Sequence, residues 1–436
     1  MFQFLKYIHP GNYYRLVHHM PQVVLSFPNE VEQRVGYSSL ESEQMDIAYQ
    51  RLQSGWIRKT KDLRNPLQNQ KITTVKDNYI FINRYFSKAQ VLWVFFVRLL
   101  TFYNPLLEMM GLLSSLKFKR IKIVPKERND FLLFESTVIQ SNPCVSVIIP
   151  TLNRYEYLKD VFADLEKQDY NHFEVIVCDQ SEPVNEAFYE GWNLNIQLIK
   201  QEEKALWLAR NRCIQGSKGD YILLFDDDSR VERDWISNHL KSLDYFNVAI
   251  SAGVTHTLVG GGLGKKDTYF HLSDVFDTGN AMVKREVFEK VGLFDRQFEK
   301  QRMGDSEFGI RALLGGYIVL SNPLATRIHL KVETGGLRQM GSWDALRPKN
   351  ILAPRPIPSV LYLIRKYHSA HEAFLYLIKN IPQSYIPYKF KGNKKAKLLV
   401  FLAFHLWLPL ALISVLKSWK QASQKLKKGA LIEYLV

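Results

Sequence analysis

Between residues 145 and 228 the sequence alternates short β-branched runs with helical patterns, and each run stops at a proline or an acidic residue. VSVIIP ends in Pro150, FEVIVCD in Asp179, and YILLFDDD in Asp226, Asp227 and Asp228. Unbroken apolar runs of this kind suit strands buried on both faces, which need helices above and below the sheet. YEYLKDVFADLEKQ supplies one helix, with Tyr157, Leu158, Val161, Phe162 and Leu165 recurring at three and four residues. EKALWLARNRCIQGSKG supplies another before the third run. The pattern predicts a doubly wound α/β sheet, in which ligands bind beyond the carboxyl ends of the strands.

A net charge of +15 would ordinarily suggest a nucleic-acid or anionic-membrane partner. Its distribution argues against nucleic acid, because residues 145–335 hold 22 basic and 29 acidic side chains while residues 359–436 hold 13 and 2. Cys144, Cys178 and Cys213 are too few and too scattered for a disulfide framework or a zinc site and suit a reducing compartment. The start, MFQFLKYIHP, lacks the apolar stretch of a secretory signal, so a cytoplasmic location is expected. The run of Gly260, Gly261, Gly262 and Gly264 lies outside any strand-to-helix turn and reads as a loop, not a dinucleotide fingerprint.

Three parts are expected: an accessory region at 1–140, a catalytic domain at 141–340 and a helical, basic and apolar region at 341–436. Residues 1–88 offer no motif. Residues 91–116 are strongly apolar, but Arg98, Asn104, Pro105 and Glu108 interrupt them too often for a membrane span. They read as an interfacial or core helix pair, followed by Lys117, Lys119, Arg120 and Lys122, with 91–122 open to membrane apposition. Residues 398–416 are barely long enough to span, and lysines on both sides oppose the positive-inside tendency. An interfacial helix or a hairpin kinked near Pro409 is the preferred reading, with a true span and a core helix left open.

Clustered carboxylates at a strand end are costly unless a cation or solvent compensates them. In extended chain Asp226 and Asp228 would share one face, and Mg2+ or Mn2+ would suit them, since hard ions prefer oxygen ligands. The bland alternative is a solvated acidic turn.

The ordered series VSVIIPTLNR, VIVCDQSEP, LARNRCIQGSKGDYILLFDDDS, GNAMVKREVFEKVGLFD and GDSEFGIRALLGG resembles the family 2 glycosyltransferases of the GT-A fold, over about residues 145–335. The resemblance implies a Rossmann-like, doubly wound mixed sheet. It sets Pro150, Thr151, Asn153 and Arg154 against the nucleotide base and ribose, and Asp179 on the base, although CDQS stands where the family often has DDGS. Arg210 and Asn211 would lie near the donor diphosphate, and Asp226 on the ribose or sugar. Asp228 would bind the metal, and Asp227, the variable position between them, is grouped with the donor-binding residues. Gly279, Asn280 and Ala281 match the donor-sugar loop, while Lys284 and Arg285 read better as a solvated helix start.

Asp305 matches the aspartate usually assigned as base, and its alternative is a helix N-cap. Gly304 replaces a common glutamate, a loss Glu307 would partly offset, and Arg311 is expected to be the structural partner of Asp305. His329 is open between a ligand to the metal or diphosphate and a packed polar residue; Trp207 reads as core.

The implied reaction is inverting transfer of a sugar from a nucleoside diphosphate sugar to a hydroxyl of a glycan acceptor. A lipid-linked acceptor would place the enzyme on an anionic membrane surface, peripheral or monotopic at the cytoplasmic face. A nucleotidyltransferase and a non-catalytic sugar-nucleotide-binding scaffold are the competing readings. A processive synthase is disfavoured because multiple spans and a QxxRW-type motif are missing from the sequence.

Overall fold

The computed structural model describes residues 2–11, 36–57, 73–257, 264–273, 276–332, 345–348, 350, 352–386, 390 and 393–435. Gly260, Gly261 and Gly262 lie outside these. The chain divides into two compact units, one of residues 1–126 with 367–380 and the other of 127–366 with 381–436. The expected C-terminal region is thus shared between the two units.

In the first unit, helices Val75–Tyr85, Lys88–Leu100 and Pro105–Ser115 gather a core of Phe4, Tyr7, Tyr79, Phe81, Val94 and Phe95. The interruptions of the apolar run have definite uses. Asn104 caps the third of these helices, accepting from the N–H groups of Leu106 and Leu107, and Pro105 occupies its first turn. Arg98 and Glu108 form a buried bidentate pair at 2.6 and 2.8 Å, and Glu108 also accepts from the Tyr79 hydroxyl at 2.7 Å. Charges in this run are therefore paired in the interior, not shed to solvent.

The second unit contains, among the described residues, a nine-stranded mixed sheet ordered β3-β2-β1-β4-β8-β6-β9-β5, with β7 on β9. The strands are β1 Val145–Thr151, β2 Phe173–Asp179, β3 Ile196–Lys200, β4 Tyr221–Phe225, β5 Ser229–Val231, β6 Ile250–Thr257, β7 His271–Leu272, β8 Asn280–Lys284 and β9 Val319–His329. Strands β1 to β4 are parallel, as the three runs predicted. β8 enters antiparallel to both β4 and β6, which makes the sheet mixed. Helix Tyr155–Leu165 buries Leu158, Val161, Phe162 and Leu165, the predicted stripe.

β9 runs through Pro323 to His329, and the Asn322 carboxamide accepts from the Leu324 and Ala325 N–H groups and bridges the irregularity. One expectation fails. At the C-terminal end there is no hairpin at Pro409, because one helix runs from Lys394 to Lys428. A face of small residues, Ala411, Ser414, Ser418 and Ala422, is buried along it, and packing on that face offsets the backbone hydrogen bond that Pro409 removes. No helix among the described residues is long and apolar enough to cross a membrane.

Below the β6 and β8 strands, His239 is fully buried, with Nδ1 2.9 Å from Ser251 Oγ and Nε2 3.2 Å from Asn280 Oδ1. Burial lowers its pKa from 6.5 to about 4, so the unfolded chain takes up this proton well before the folded one. Stability is therefore full above pH 6.5 and falls as pH drops toward 4, by roughly 2–3 kcal/mol from this group. Urea midpoints measured across that window should fall less steeply in His239→Gln than in the parent; equal slopes would show that His239 does not titrate there.

Candidate functional site

β4 delivers Asp226, Asp227 and Asp228 into a tight turn that reverses into β5. They are therefore not extended as alternation required: two arginines take Asp226, while Asp227 and Asp228 share Arg154. β5 pairs Ser229 with His329 on β9, which brings the end of β9 beside the acidic turn.

Asp226 is clamped from both sides. Arg210 Nη2 donates to its Oδ1 at 2.7 Å, and Arg327 Nη1 donates to its Oδ2 at 2.9 Å. Arg327 is itself buried and also reaches Ser229 Oγ at 2.9 Å, Thr255 Oγ1 at 3.0 Å and Asp277 Oδ2 at 3.2 Å. Burial alone would raise the Asp277 carboxyl, but the Arg327 guanidinium outweighs it and holds it below its ordinary value. Gly279 lies over this pair: a Cβ there would lie 2.1 Å from Arg327 Nη1 and 2.3 Å from Asp226 Oδ2, so only glycine fits.

Asp227 accepts from Thr151 Oγ1 and Arg154 Nη1, both at 2.9 Å. Burial pushes its carboxyl up to about 6; Arg154 pulls it down and the neighbouring Asp228 pushes it further up. Asp228 has looser contacts, 3.3 Å to Arg154 Nη1 and 3.3 Å to His329 Nε2. Ligand atoms of Asp226, Asp228 and His329 all fall within 4.8 Å of one another. Two carboxylates and an imidazole at that spacing suit a hard or borderline divalent ion. Because Asp226 is already committed to two arginines, Asp228 and His329 are the pair best placed to hold one.

The remaining expected residues separate into two groups. Arg154 stands with the acidic turn, Pro150 is buried within β1, and Asn153 is exposed in a left-handed conformation with its N–H on Ser181 Oγ at 2.8 Å. Asp179 is wholly buried, accepting from the Tyr155 and Tyr189 hydroxyls at 2.6 and 2.8 Å and from Ser181 N–H at 2.8 Å. In the departure CDQS, Gln180 turns inward and accepts from Ala205 N–H at 2.7 Å.

Asn211 and Asn280 belong to the interior. Asn211 exchanges hydrogen bonds with the Phe294 backbone at 3.0 and 2.9 Å. Asn280 is held by Trp235, His239, Val254 and Ala325. Arg285 donates to the Gly219 and Ser217 carbonyls.

Asp305 sits in the first turn of helix Gly304–Leu314, half-buried, its Oδ1 accepting from Ser306 N–H at 2.7 Å. It is not the N-cap, a position held by Met303. Its expected partners are elsewhere. Glu307 and Arg311 pair with each other at 3.0 Å, and Lys366 Nζ reaches Glu307 Oε1 at 2.9 Å and Asp295 Oδ2 at 3.3 Å. Positions two apart on a helix point away from each other, so Glu307 faces the interior while Asp305 faces out. Trp207 fills the place of the missing glutamate: a Cβ on Gly304 would lie 2.3 Å from its Cζ2. The same helix, Leu206–Gly216, thus supplies both the indole under Gly304 and the Arg210 that holds Asp226.

Arg327 and Asp277 were not singled out in the sequence. Arg327 had a signal, since it precedes His329 by two and strand alternation puts both on one face. Asp277 had none.

A model of the family described as glycosyl transferase family 2 matches residues 146–292. Glycosyltransferase GlyA of Streptococcus pneumoniae is 25% identical over 164 residues, 36% of this chain and 22% of that protein. Glycosyltransferase AglE of Haloferax volcanii is 27% identical over 194 residues, 40% of this chain and 63% of that protein. In both cases the chain spans less than two thirds of the relative. The crystal structure of S. aureus TarS 1-349 in complex with UDP-GlcNAc aligns at a TM-score of 0.43 with 15% identity, covering 65% of this chain and 92% of that one. The segment that matches the family 2 glycosyltransferase model, residues 146–292, carries the acidic turn between β4 and β5 and most of the mixed α/β sheet, and it is over this segment that the chain is similar to that family.

Proposed function

We propose that the chain is a metal-dependent, inverting glycosyltransferase that moves a sugar from a nucleoside diphosphate sugar to a hydroxyl of a glycan acceptor. The observation that carries this reading is the convergence of Asp226, Asp228 and His329, braced by three arginines, with both aspartates inside the segment that matches the family 2 model. Asp228 and His329 would hold Mg2+ or Mn2+, which when bound neutralises charge on the donor diphosphate. Arg154, which pairs with Asp227 at the acidic turn, would exchange part of that contact for diphosphate oxygens. Asp305 accepts the proton of the acceptor hydroxyl; its oxygen bonds to the anomeric carbon from the face opposite the diphosphate, and the nucleoside diphosphate leaves with the bonding pair. A lipid-linked acceptor at the cytoplasmic membrane face completes the proposal.

The test is a panel of UDP-, GDP- and dTDP-sugars incubated with the full chain, with and without Mn2+, reading nucleoside diphosphate release. Metal-dependent release from one donor class is expected. Diphosphate release from nucleoside triphosphates instead would identify a nucleotidyltransferase, and inertness toward every donor would leave a binding scaffold.

A further inference from the structure

Between Lys88 and Lys117 the only charged residues are Arg98 and Glu108, and both are turned inward onto each other. Between Lys88, exposed at its start, and Lys117, this helix-loop-helix therefore shows its surroundings only uncharged groups, most of them apolar. Leu92, Phe96 and Leu100 form an exposed stripe on helix Lys88–Leu100. Phe102 in the connecting loop is 97% exposed, and Leu106, Leu107, Met110, Leu113 and Leu116 follow on the outward side of helix Pro105–Ser115. An ordinary solvated helix pair would place its charges there; a contiguous apolar surface instead marks an interaction site.

The immediate flank says what kind. Lys117, Lys119, Arg120 and Lys122 are all exposed where the second helix ends. Helices of this length reach roughly 17–20 Å, comparable to the ~15 Å of hydrocarbon in one leaflet. An apolar surface one leaflet deep beside a cationic cluster is complementary to an anionic bilayer, with the lysines at headgroup level.

We propose that residues 88–122 form a monotopic membrane-docking element, in which the 101–104 loop and the outward faces of its two helices enter one leaflet of an anionic membrane. The buried Arg98–Glu108 pair lets the element enter without exposing a charge to lipid. This deepens the membrane apposition proposed above, yet it does not depend on glycosyl transfer.

The experiment uses the full chain in a Cys144→Ser background, since Cys178 and Cys213 are buried. Phe102→Cys is labelled with an environment-sensitive fluorophore and mixed with vesicles of phosphatidylcholine alone or with phosphatidylglycerol. A blue shift with the anionic vesicles, weakened by salt, is expected. In flotation, Phe102→Glu combined with Leu106→Glu should lower the partition coefficient roughly a hundredfold, about tenfold for each apolar side chain no longer buried.

Unaltered thermal unfolding and vesicle-free donor hydrolysis in that double variant separate docking from folding and from catalysis. An unmoved label overturns the inference even if the chain floats, since another segment then holds the membrane. So does unchanged flotation of the double variant. Sedimentation showing a dimer that the double variant disperses, with vesicle binding unaffected, would assign the surface to a second copy of the chain instead.

Discussion

Replacing Asp305 by asparagine is expected to slow turnover by about 10²- to 10⁴-fold, with donor binding little changed, because a positioned base contributes on that order and is needed only as the acceptor proton moves. Among the described residues one internal N–H satisfies one oxygen of Asp305, and the carboxylate is half-buried at the mouth of its helix, which suits it to this role. Its neighbour Glu307 serves as the contrast. Glu307 is fully buried between Arg311 and Lys366, so Glu307→Gln should lower the unfolding midpoint more than it lowers turnover per folded molecule. Steady-state rates corrected for folded fraction distinguish the two, and wild-type turnover in Asp305→Asn would remove it from the chemistry.

The second large effect is expected at Asp228. Asp228→Ala should abolish Mn2+ binding in a calorimetric titration and reduce turnover by roughly 10³-fold, equivalent to about 4 kcal/mol of lost charge stabilisation. Its two contacts, both at 3.3 Å, are loose for charged groups and can be exchanged for an ion at little cost. Asp226 behaves differently although it lies two residues away. Removing its carboxylate takes the paired anion from buried Arg210 and one of two anions from buried Arg327, so Asp226→Ala should fail first as a folded protein, at about 3–5 kcal/mol for a broken buried pair. A Mn2+ titration unaltered by Asp228→Ala would place the ion on other residues.

What could be read in the sequence follows from burial. β1, β2 and β4 announce themselves because strands covered on both faces must be continuously apolar, and the acidic turn is conspicuous for the opposite reason. β6, ISAGVTHT, and β9, interrupted by Asn322 and Pro323, have mixed patterns because their polar residues are satisfied inside the fold. The same internal satisfaction holds at Asn211 and Asn280, whose positions suit donor contacts and whose carboxamides are engaged by backbone and by Trp235 and His239. Arg98 and Glu108 looked like breaks in an apolar run; only the three-dimensional crossing of two helices shows them as one buried pair.

The indole seated under Gly304 makes two positions a single heritable unit. A chain carrying Trp207 cannot take a glutamate at 304 by one substitution, since any side chain there collides with the ring before its carboxylate reaches the surface. Shrinking Trp207 alone opens a void beside Asp305 and frees the Phe298 carbonyl that the indole N–H occupies at 3.1 Å. Each single step is harmful, and only the paired change admits a carboxylate at 304. Directed evolution of the acceptor side should therefore sample both codons together.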